Sequence, residues 1–556
     1  MRDQVLLTLG LATLTGPPLL DLLVNGWKRV FWYFAADTFY YLTVARNLAL
    51  HGSLSFDQER TTNGFHPLWQ FLTGLLYKLT SLLGLPDSAF LVLVFLTGLA
   101  LLGLALVVLA SCFRLALGRV PSAFPLLPVG LYALATWPID PQYGSLWSYA
   151  NGMESALAVL AFAWVLRSML LRETSERLVT SLQLSIALSV LMLSRLDHGL
   201  LAVCIFIVFF FRALPIDRLR VRRFLALTVP FMSVLGLYVT FNWLTAGSLL
   251  PVSASIKSTF PDPVGRNVIH LGVLILFPDA PQALPWRQAQ VFLPAAVAGA
   301  SLLFLLTQWR CQRHDLLTVP LSICSAFVVG LAAYNFLFVP LWHQGHWYFP
   351  VSVLLTTILP LYFWERYKPV ARRTRTAEVV LAGGGVALVA LFFSALYHDP
   401  NYNARYQTMF ESRSEIRAHF GSDQPRIIEY DDGIVAFTTG YPTMSGLGFA
   451  LDSEAVAWME RAPLLWLAYD RGFDHIASVN YFDSGGLSED SSSEEIRERL
   501  SETFFLRWPD IQPFDFRVAY VTPGEELAII AMELRECPSS HLLRGCPGAS
   551  ELSGSH

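Results

Sequence analysis

The sequence is short of charge. Asp, Glu, Lys and Arg make up only 15% of its 556 residues while hydrophobic residues reach 54%, and the mean hydropathy is +0.46. A soluble class is thereby excluded, since it would leave far too much apolar surface facing water. A basic surplus is missing as well, with 39 Lys and Arg against 43 Asp and Glu. Nucleic acid, whose phosphates need a basic stripe, is therefore not an expected partner. Cysteine is scarce. Cys112, Cys204, Cys311 and Cys324 lie in or beside apolar runs and read as small buried hydrophobes, whereas Cys537 and Cys546 sit in a Ser-, Gly- and Pro-rich tail where a disulfide and two free thiols are both open. No internal repeat is evident.

What the chain has in quantity is long apolar runs. A bilayer core about 30 Å thick needs roughly 20 apolar residues per helical crossing, and runs of that kind recur to about residue 397. The first, near 5–24, follows only Arg2, carries Pro17 and Pro18, and has no small-x-small cleavage site after it, so it reads as an uncleaved, proline-kinked span. Basic residues collect after Leu166, after Phe211, at Arg310 and Arg313, and from Arg366 to Arg375, which makes those loops cytoplasmic by the positive-inside rule. Spans near 154–171, 179–194, 198–212, 224–245, 290–308, 316–340, 346–364 and 377–397 then alternate without conflict. "NGMES", "SRLDHG", "GSLLPVSASIKS", "HQGHWYF" and everything after 398 fall on the outer side.

The earlier part does not close. Crossings at 5–24, 66–84, 88–111 and 122–137 would put "NGMES" inside, so either 121–141 is re-entrant or the run 88–118 breaks. The total should be odd, about 11 or 13, and the short piece 268–278 is not a full crossing. The expected architecture is a polytopic α-helical membrane domain over 1–397 with a first outer loop at 25–65. An outer-face α/β domain follows over 398–536, and a flexible tail over 537–556. In the α/β domain "RIIEY" and "ELAIIAME" read as strands and "DSEAVAWMERAPLLWLAYDRG" has helical spacing, with Trp458 and Trp466 packing its core. Asp431 and Asp432 before Gly433 read as a turn.

The segment "DTFYYLTVARNLALHGSLSFDQERTTNGFHPLW", Asp37 to Trp69, is a polar interruption between two apolar runs. Tyr40, Tyr41, Val44 and Leu48 share one helical face and His51-Gly52 closes the helix, which predicts an amphipathic helix along the membrane interface. Asp37 stands where an N-cap would accept backbone N–H groups, and the positive helix end favours the carboxylate, the form able to take a proton. Trp69 reads as an aromatic-belt anchor.

This segment resembles the first outer loop of the GT-C superfamily of membrane glycosyltransferases. It is most similar to the branch that includes the mycobacterial arabinofuranosyltransferases, in which an acidic pair precedes an "ARNL…G" helix and a "…NPLW" entry to the second span. Four further segments are similar to that branch's elements, in the same order: "NGMESAL", "LSRLDHGLL", "FNWLTAGSLLPVSASIKS" and "DDGIVAFTTGYPTMSGLGFALD". The family's acidic pair is here Ala36-Asp37, a single acid.

The resemblance implies transfer of a sugar, with inversion, from a polyprenyl-phosphate donor to a cell-envelope glycan or lipid acceptor on the outer face of a plasma (inner) membrane. A lipid-tailed donor holds its sugar phosphate at headgroup level, so catalytic groups belong in outer loops flush with the bilayer. Asp37 is the expected base for the acceptor hydroxyl, and Lys257, Arg195, His66, His343 and His346 are the groups expected to meet the departing phosphate. Glu154 is expected at an acceptor hydroxyl, and Asn63, Asp197 and Tyr348 complete the substrate-binding set. The sequence specifies no cofactor and leaves a divalent cation open. His343 and His346, separated by two residues without a nearby acid, do not make a metal site by themselves.

Plainer roles stand beside these. Lys257 would serve as an interfacial lysine, Arg195 and Asp197 as a mutual pair, and Glu154 as an acid at a helix start. Still, ionisable groups at membrane depth usually face a pathway or cavity. The competing classes are a transporter or flippase for lipid-linked saccharides and a non-catalytic glycan-binding membrane scaffold. The first of these calls for charged or broken helices near the bilayer midplane and for a repeat between halves.

Overall fold

The computed structural model describes residues 1–128, 150–212, 217–265, 267, 298–307, 316–340, 348–367, 404–429, 433–446, 450–459, 463–479, 487–504, 513–522 and 527–535. His343, His346, Cys311, Cys537, Cys546, Asp431, Asp432, the runs 268–278 and 377–397 and most of 121–141 lie outside the described residues.

The architecture is that of a helical membrane protein with a small sheet near its C-terminus. Among the described residues, five helices are long and apolar enough to cross a bilayer: α1 (Arg2–Asn25), α4 (Asp87–Leu117), α5 (Ser155–Thr174), α8 (Arg218–Ala246) and α11 (Thr318–Phe338). Between them in chain order come α2 (Asp37–His51), α3 (Pro67–Leu82), α6 (Leu178–Ser194), α7 (Gly199–Arg212), α9 (Val252–Lys257) and α10 (Ala298–Thr307), and α12 (Pro350–Tyr367) follows. Sequence punctuation sets the ends. Gly118 and Gly247 stop α4 and α8 in the left-handed conformation, and the Asp217 side chain caps α8 by accepting from Arg220 N. α4 is one unbroken helix, so of the two alternatives for the first half the break of 88–118 is not made.

α3 corrects the expectation of a crossing at 66–84. It runs beside α2 in the same direction, with Gln70 donating to the Tyr41 carbonyl at 3.2 Å near one end and Lys78 to the Ala49 carbonyl at 3.0 Å near the other. Just past α3, Asp87 accepts from the Tyr77 hydroxyl at 3.1 Å and pairs at 3.5 Å with Arg413 of the C-terminal domain. Both ends of α3 thus lie at the same end of the bundle as that domain. At the other end, Arg114 of α4 lies 3.9 Å from Asp3 of α1. The hydropathy of α3 has a different cause: Phe71, Leu75, Leu79 and Leu82 form an exposed apolar stripe, while Trp69, Gln70, Thr73 and Tyr77 face the protein.

α2 is also corrected. It is buried on nearly every side from Thr38 to Asn47 rather than lying half-exposed as an amphipathic surface helix. Its polar residues are met by the C-terminal domain: Arg46 donates to the carbonyls of Phe437 and Ala436 at 2.8 and 2.9 Å, and Thr43 to Gly433 at 3.3 Å. Gly433 has φ +94°, and a Cβ there would fall 2.6 Å from Tyr40 N, so only glycine allows this approach.

The C-terminal domain contributes α13 (Ala404–Glu411), α14 (Arg413–Phe420), α15 (Ile434–Thr439), α16 (Ser453–Met459), α17 (Leu464–Asp470) and α18 (Ser493–Phe504). Its strands β1 (Ile427–Glu429), β2 (Thr443–Ser445), β3 (His475–Val479), β4 (Phe514–Val521) and β5 (Leu527–Leu534) form one sheet in the order β2-β1-β3-β5-β4. β1 pairs in parallel with β2 and β3, while β5 is antiparallel to β3 and β4. β4 alternates buried and open residues as an edge strand should, and β5 is buried along most of its length, so its sequence shows no alternation. The helical spacing read over 452–472 resolves into two helices with Pro463 at the cap position of the second; Trp466 packs the domain core and the Trp458 indole donates to the Pro463 carbonyl at 3.1 Å. Glu429, at the end of β1, accepts from the N–H groups of Gly433, Val435 and Ala436 and so closes the start of α15.

Candidate functional site

A cavity of about 730 Å³ opens where the start of α2, the "NGMES" loop, the segment 195–199 and α9 converge. The fold aims these pieces at one another through the backbone. Ala35 N donates to the Asn151 carbonyl at 3.1 Å, Thr38 Oγ1 to the same carbonyl at 2.5 Å, and the Trp69 indole to Gly152 O at 3.0 Å. Gly152, at φ +80°, has no room for a Cβ, which would lie 2.4 Å from Thr38 Cγ2. Trp69 is therefore a wholly buried clamp and not an aromatic-belt anchor at the surface. Asp37 occupies the first turn of α2, one residue inside the Ala36 cap position, so it meets the positive helix end from within the first turn and not from the cap position itself.

Seven of the residues singled out in the sequence line this cavity: Asp37, His66, Glu154, Arg195, Asp197, Lys257 and Tyr348. Lys257 Nζ is 3.7 Å from Asp37 Oδ2 and 5.6 Å from the centre of the Tyr348 ring. Arg195, almost wholly buried, donates to Glu154 Oε1 at 2.7 Å, lies 3.2 Å from Asp197 Oδ1 and stacks 4.8 Å over the Tyr348 ring. The mutual pairing of Arg195 and Asp197 is thus real but incomplete as a description, because Glu154 and Tyr348 share the same guanidinium. Glu154 precedes α5, as an acid favoured by the helix dipole would, yet makes no capping bond, and its Oε2 is buried without a hydrogen-bond partner.

His66 Nδ1 accepts from Leu196 N at 3.3 Å, which places the ring proton on Nε2, 3.4 Å from Glu154 Oε1. That geometry requires a neutral ring, and burial, opposed by Glu154 and reinforced by Arg195, pulls His66 down to about 4. Burial also works against the Asp197 carboxylate, but Arg195 and then His198 outweigh it and hold it well below the usual range. Burial would lower the Arg195 guanidinium, and Asp197 and Glu154 overturn that and raise it. The hydroxyl of Tyr41 is pushed up, by burial first.

Asn63 does not line the cavity. Its amide donates to Leu250 O at 3.2 Å and accepts from Val252 N at 2.9 Å, so it fixes the start of the helix whose last residue is Lys257. Tyr41, not anticipated as a site residue, lines the cavity with its hydroxyl accepting from His66 N at 3.3 Å, and His198, behind the wall, pairs with Asp197 at 2.7 Å. Away from the charged end, Met192, Val203, Phe206, Phe231, Met232 and Leu235 make an apolar trough from α6, α7 and α8. Val203 and Met232 are 50% and 53% exposed, so the trough is open along the outer surface of the bundle. These residues carry no signal in one sequence, being indistinguishable from any lipid-facing side chain.

The donor set does not fit a resident divalent ion. Among the described residues no group of three or more His, Cys, Asp and Glu is placed to hold one. Each of the three carboxylates instead faces a cationic side chain. Searches against protein-family models and against curated proteins find no match to this chain.

Proposed function

We propose that this chain is a membrane glycosyltransferase that moves a sugar from a polyprenyl-phosphate donor to a glycan or lipid acceptor, with inversion. The observation that carries this reading is the two-part cavity: ionisable groups at one end, an apolar trough open along the bundle at the other. A ligand with a phosphate head and a long hydrocarbon tail has that same division. The resemblance of the segment 37–69 to the first outer loop of the GT-C superfamily supports it independently.

In this reading the Asp37 carboxylate accepts the proton of the acceptor hydroxyl as its oxygen attacks the anomeric carbon. The bond from that carbon to the phosphate oxygen breaks, and its electron pair leaves with the lipid phosphate. Lys257 meets the developing charge, with Arg195 behind it, and Glu154 and neutral His66 orient acceptor hydroxyls. Asn63 acts as a positioning residue through Lys257.

The cavity and the C-terminal domain face the periplasmic or extracellular side in this proposal. Twelve apolar runs are counted in the sequence; with 66–84 withdrawn, eleven crossings remain and "NGMES" falls outside, which removes the conflict in the first half.

Asp37→Asn is the test, in protein reconstituted with lipid-phosphate sugar. Turnover is expected to fall by about 10²–10⁴-fold with donor binding retained, the usual contribution of a general base. Unchanged product formation, or leaflet exchange of the lipid without any transfer, would overturn the proposal.

A further inference from the structure

A second cavity of about 550 Å³ shares no lining residue with the first. It lies at the opposite end of α2, between α2, the end of α3 and the C-terminal domain. Arg46 is nine residues beyond Asp37, about 14 Å along the helix at 1.5 Å per residue.

Two guanidinium groups converge there. A methyl built on Gly440, whose φ is +75°, would lie 3.3 Å from Arg417 Nη2 and 3.7 Å from Arg46 Nη1. Each arginine is anchored by backbone carbonyls, Arg46 on Phe437 and Ala436, Arg417 on Thr439 and Thr438, which leaves further N–H groups of each fork for a ligand. Asp87 is the one carboxylate in this wall among the described residues, and the Tyr77 hydroxyl and Arg413 already engage it. The local balance is therefore positive.

Two buried polar atoms at the same cavity have no partner. Asn47 is fully buried and spends its amide nitrogen on the carbonyls of Ser55 and Phe56, while its Oδ1 is unpaired; the hydroxyl of Tyr441, itself 4% exposed, is also unpaired. Buried groups of this kind are costly unless something satisfies them. At the rim, Gln58, the non-glycine residue with positive φ (72°) among the described residues, donates to Gly440 O at 2.9 Å. A strained backbone held at a cavity mouth is characteristic of binding sites.

We infer that this second cavity binds an anionic polyol, a hydroxyl-bearing unit carrying one phosphate or carboxylate, in the cradle between Arg46 and Arg417. The arginines donate to the acid group; Asn47 Oδ1 and the Tyr441 hydroxyl, both closed to solvent in the empty cavity, turn into it to meet the ligand hydroxyls. An acidic sugar of a soluble glycan and the headgroup of an anionic phosphopolyol lipid share this chemistry. The inference does not depend on transfer at Asp37.

The full chain in phosphatidylcholine nanodiscs is titrated calorimetrically with glucose 6-phosphate, glucuronate, glucose and inorganic phosphate, and again with phosphatidylinositol in the disc. Saturable binding of at least one acidic sugar is expected, with glucose and inorganic phosphate each about tenfold weaker or more, since each lacks half of the contacts. Arg417→Glu, at an exposed side chain, and Gly440→Ala, which fills the cradle, should each weaken it by about tenfold or more. Lys257→Met, in the other cavity, should leave it unchanged. Binding that persists with phosphatidylinositol present assigns the site to a soluble glycan; loss of the sugar signal in that disc assigns it to a lipid headgroup. The inference is overturned by three outcomes: no saturable binding of either acid in phosphatidylcholine discs, equal binding of inorganic phosphate, or binding insensitive to Arg417→Glu.

Discussion

Arg195 is the residue on which the charged end of the first cavity turns. It is 3% exposed at the side chain, and it holds Glu154, which is 1% exposed. Removing one partner of such a pair leaves the other as an uncompensated buried charge, at a cost of about 3–5 kcal/mol. Arg195→Met should therefore lower the unfolding free energy by about that amount, and the double variant Arg195→Met, Glu154→Gln should recover much of it. A double variant no more stable than the single would show that the pair does not act as a unit. His66 gives a pH signature. Its folded value, about 4, lies below the ordinary 6.5, so the unfolded chain takes up the proton first; stability is unaffected above about pH 6.5 and falls as pH drops from there toward 4. His66→Gln should lose less melting temperature than the parent between about pH 7 and about pH 4.5, and equal losses would count against a buried neutral ring.

At the scale of elements, the seam between α2 and α15 decides where the cavity forms. Gly433 touches the backbone of Tyr40, three residues after Asp37. Gly433→Ala combines a left-handed φ with a clash against backbone that cannot give way, and should destabilise by more than about 1 kcal/mol. Thermal unfolding in nanodiscs measures this, and a shift within error would mean the seam is slack. The two helices of the polar insert show what periodicity could and could not convey. The helix 37–51 was legible down to its glycine cap, because capping and spacing are local. That its polar face meets a domain some 390 residues away was not, since Arg46 and Thr43 look the same in sequence whether they face carbonyls or headgroups. α3 misled for the converse reason: 16 apolar-rich residues with an outward apolar stripe have the hydropathy of a short span, and only the bonds to Tyr41 and Ala49 show that it lies alongside α2.

Over the whole molecule, those bonds have a topological consequence that can be measured. In a chain with its native cysteines replaced, Ser81→Cys at the end of α3 and Asp423→Cys in the C-terminal domain should react with a membrane-impermeant maleimide from one and the same side. Arg177→Cys, in a basic loop, should react from the other. Labelling of residue 81 from the side of residue 177 would restore α3 as a crossing. The bundle and the C-terminal domain also share one continuous apolar core, in which Phe39 of α2 lies 5.4 Å from Tyr406 and 6.1 Å from Phe437 by ring centres. The domain is thus packed into the site's supporting structure rather than tethered beside it.

By itself the sequence determined what depends on composition and near neighbours. It specified a helical membrane protein, most helix positions, a C-terminal domain with β1 and β5 among its strands, and the residue types gathered in the insert and in the loops after it. Seven of the ten singled-out side chains do meet in one cavity, because the segments that carry them converge at the same end of the bundle. Tertiary structure alone decided that Asn63 braces Lys257 instead of facing the cavity, that α2 is covered, that α3 lies alongside α2, and that Arg46 and Arg417 point at one spot. Burial and pairing are properties of two segments at once, and a single strand of letters carries the preferences of each segment but not the distance between them.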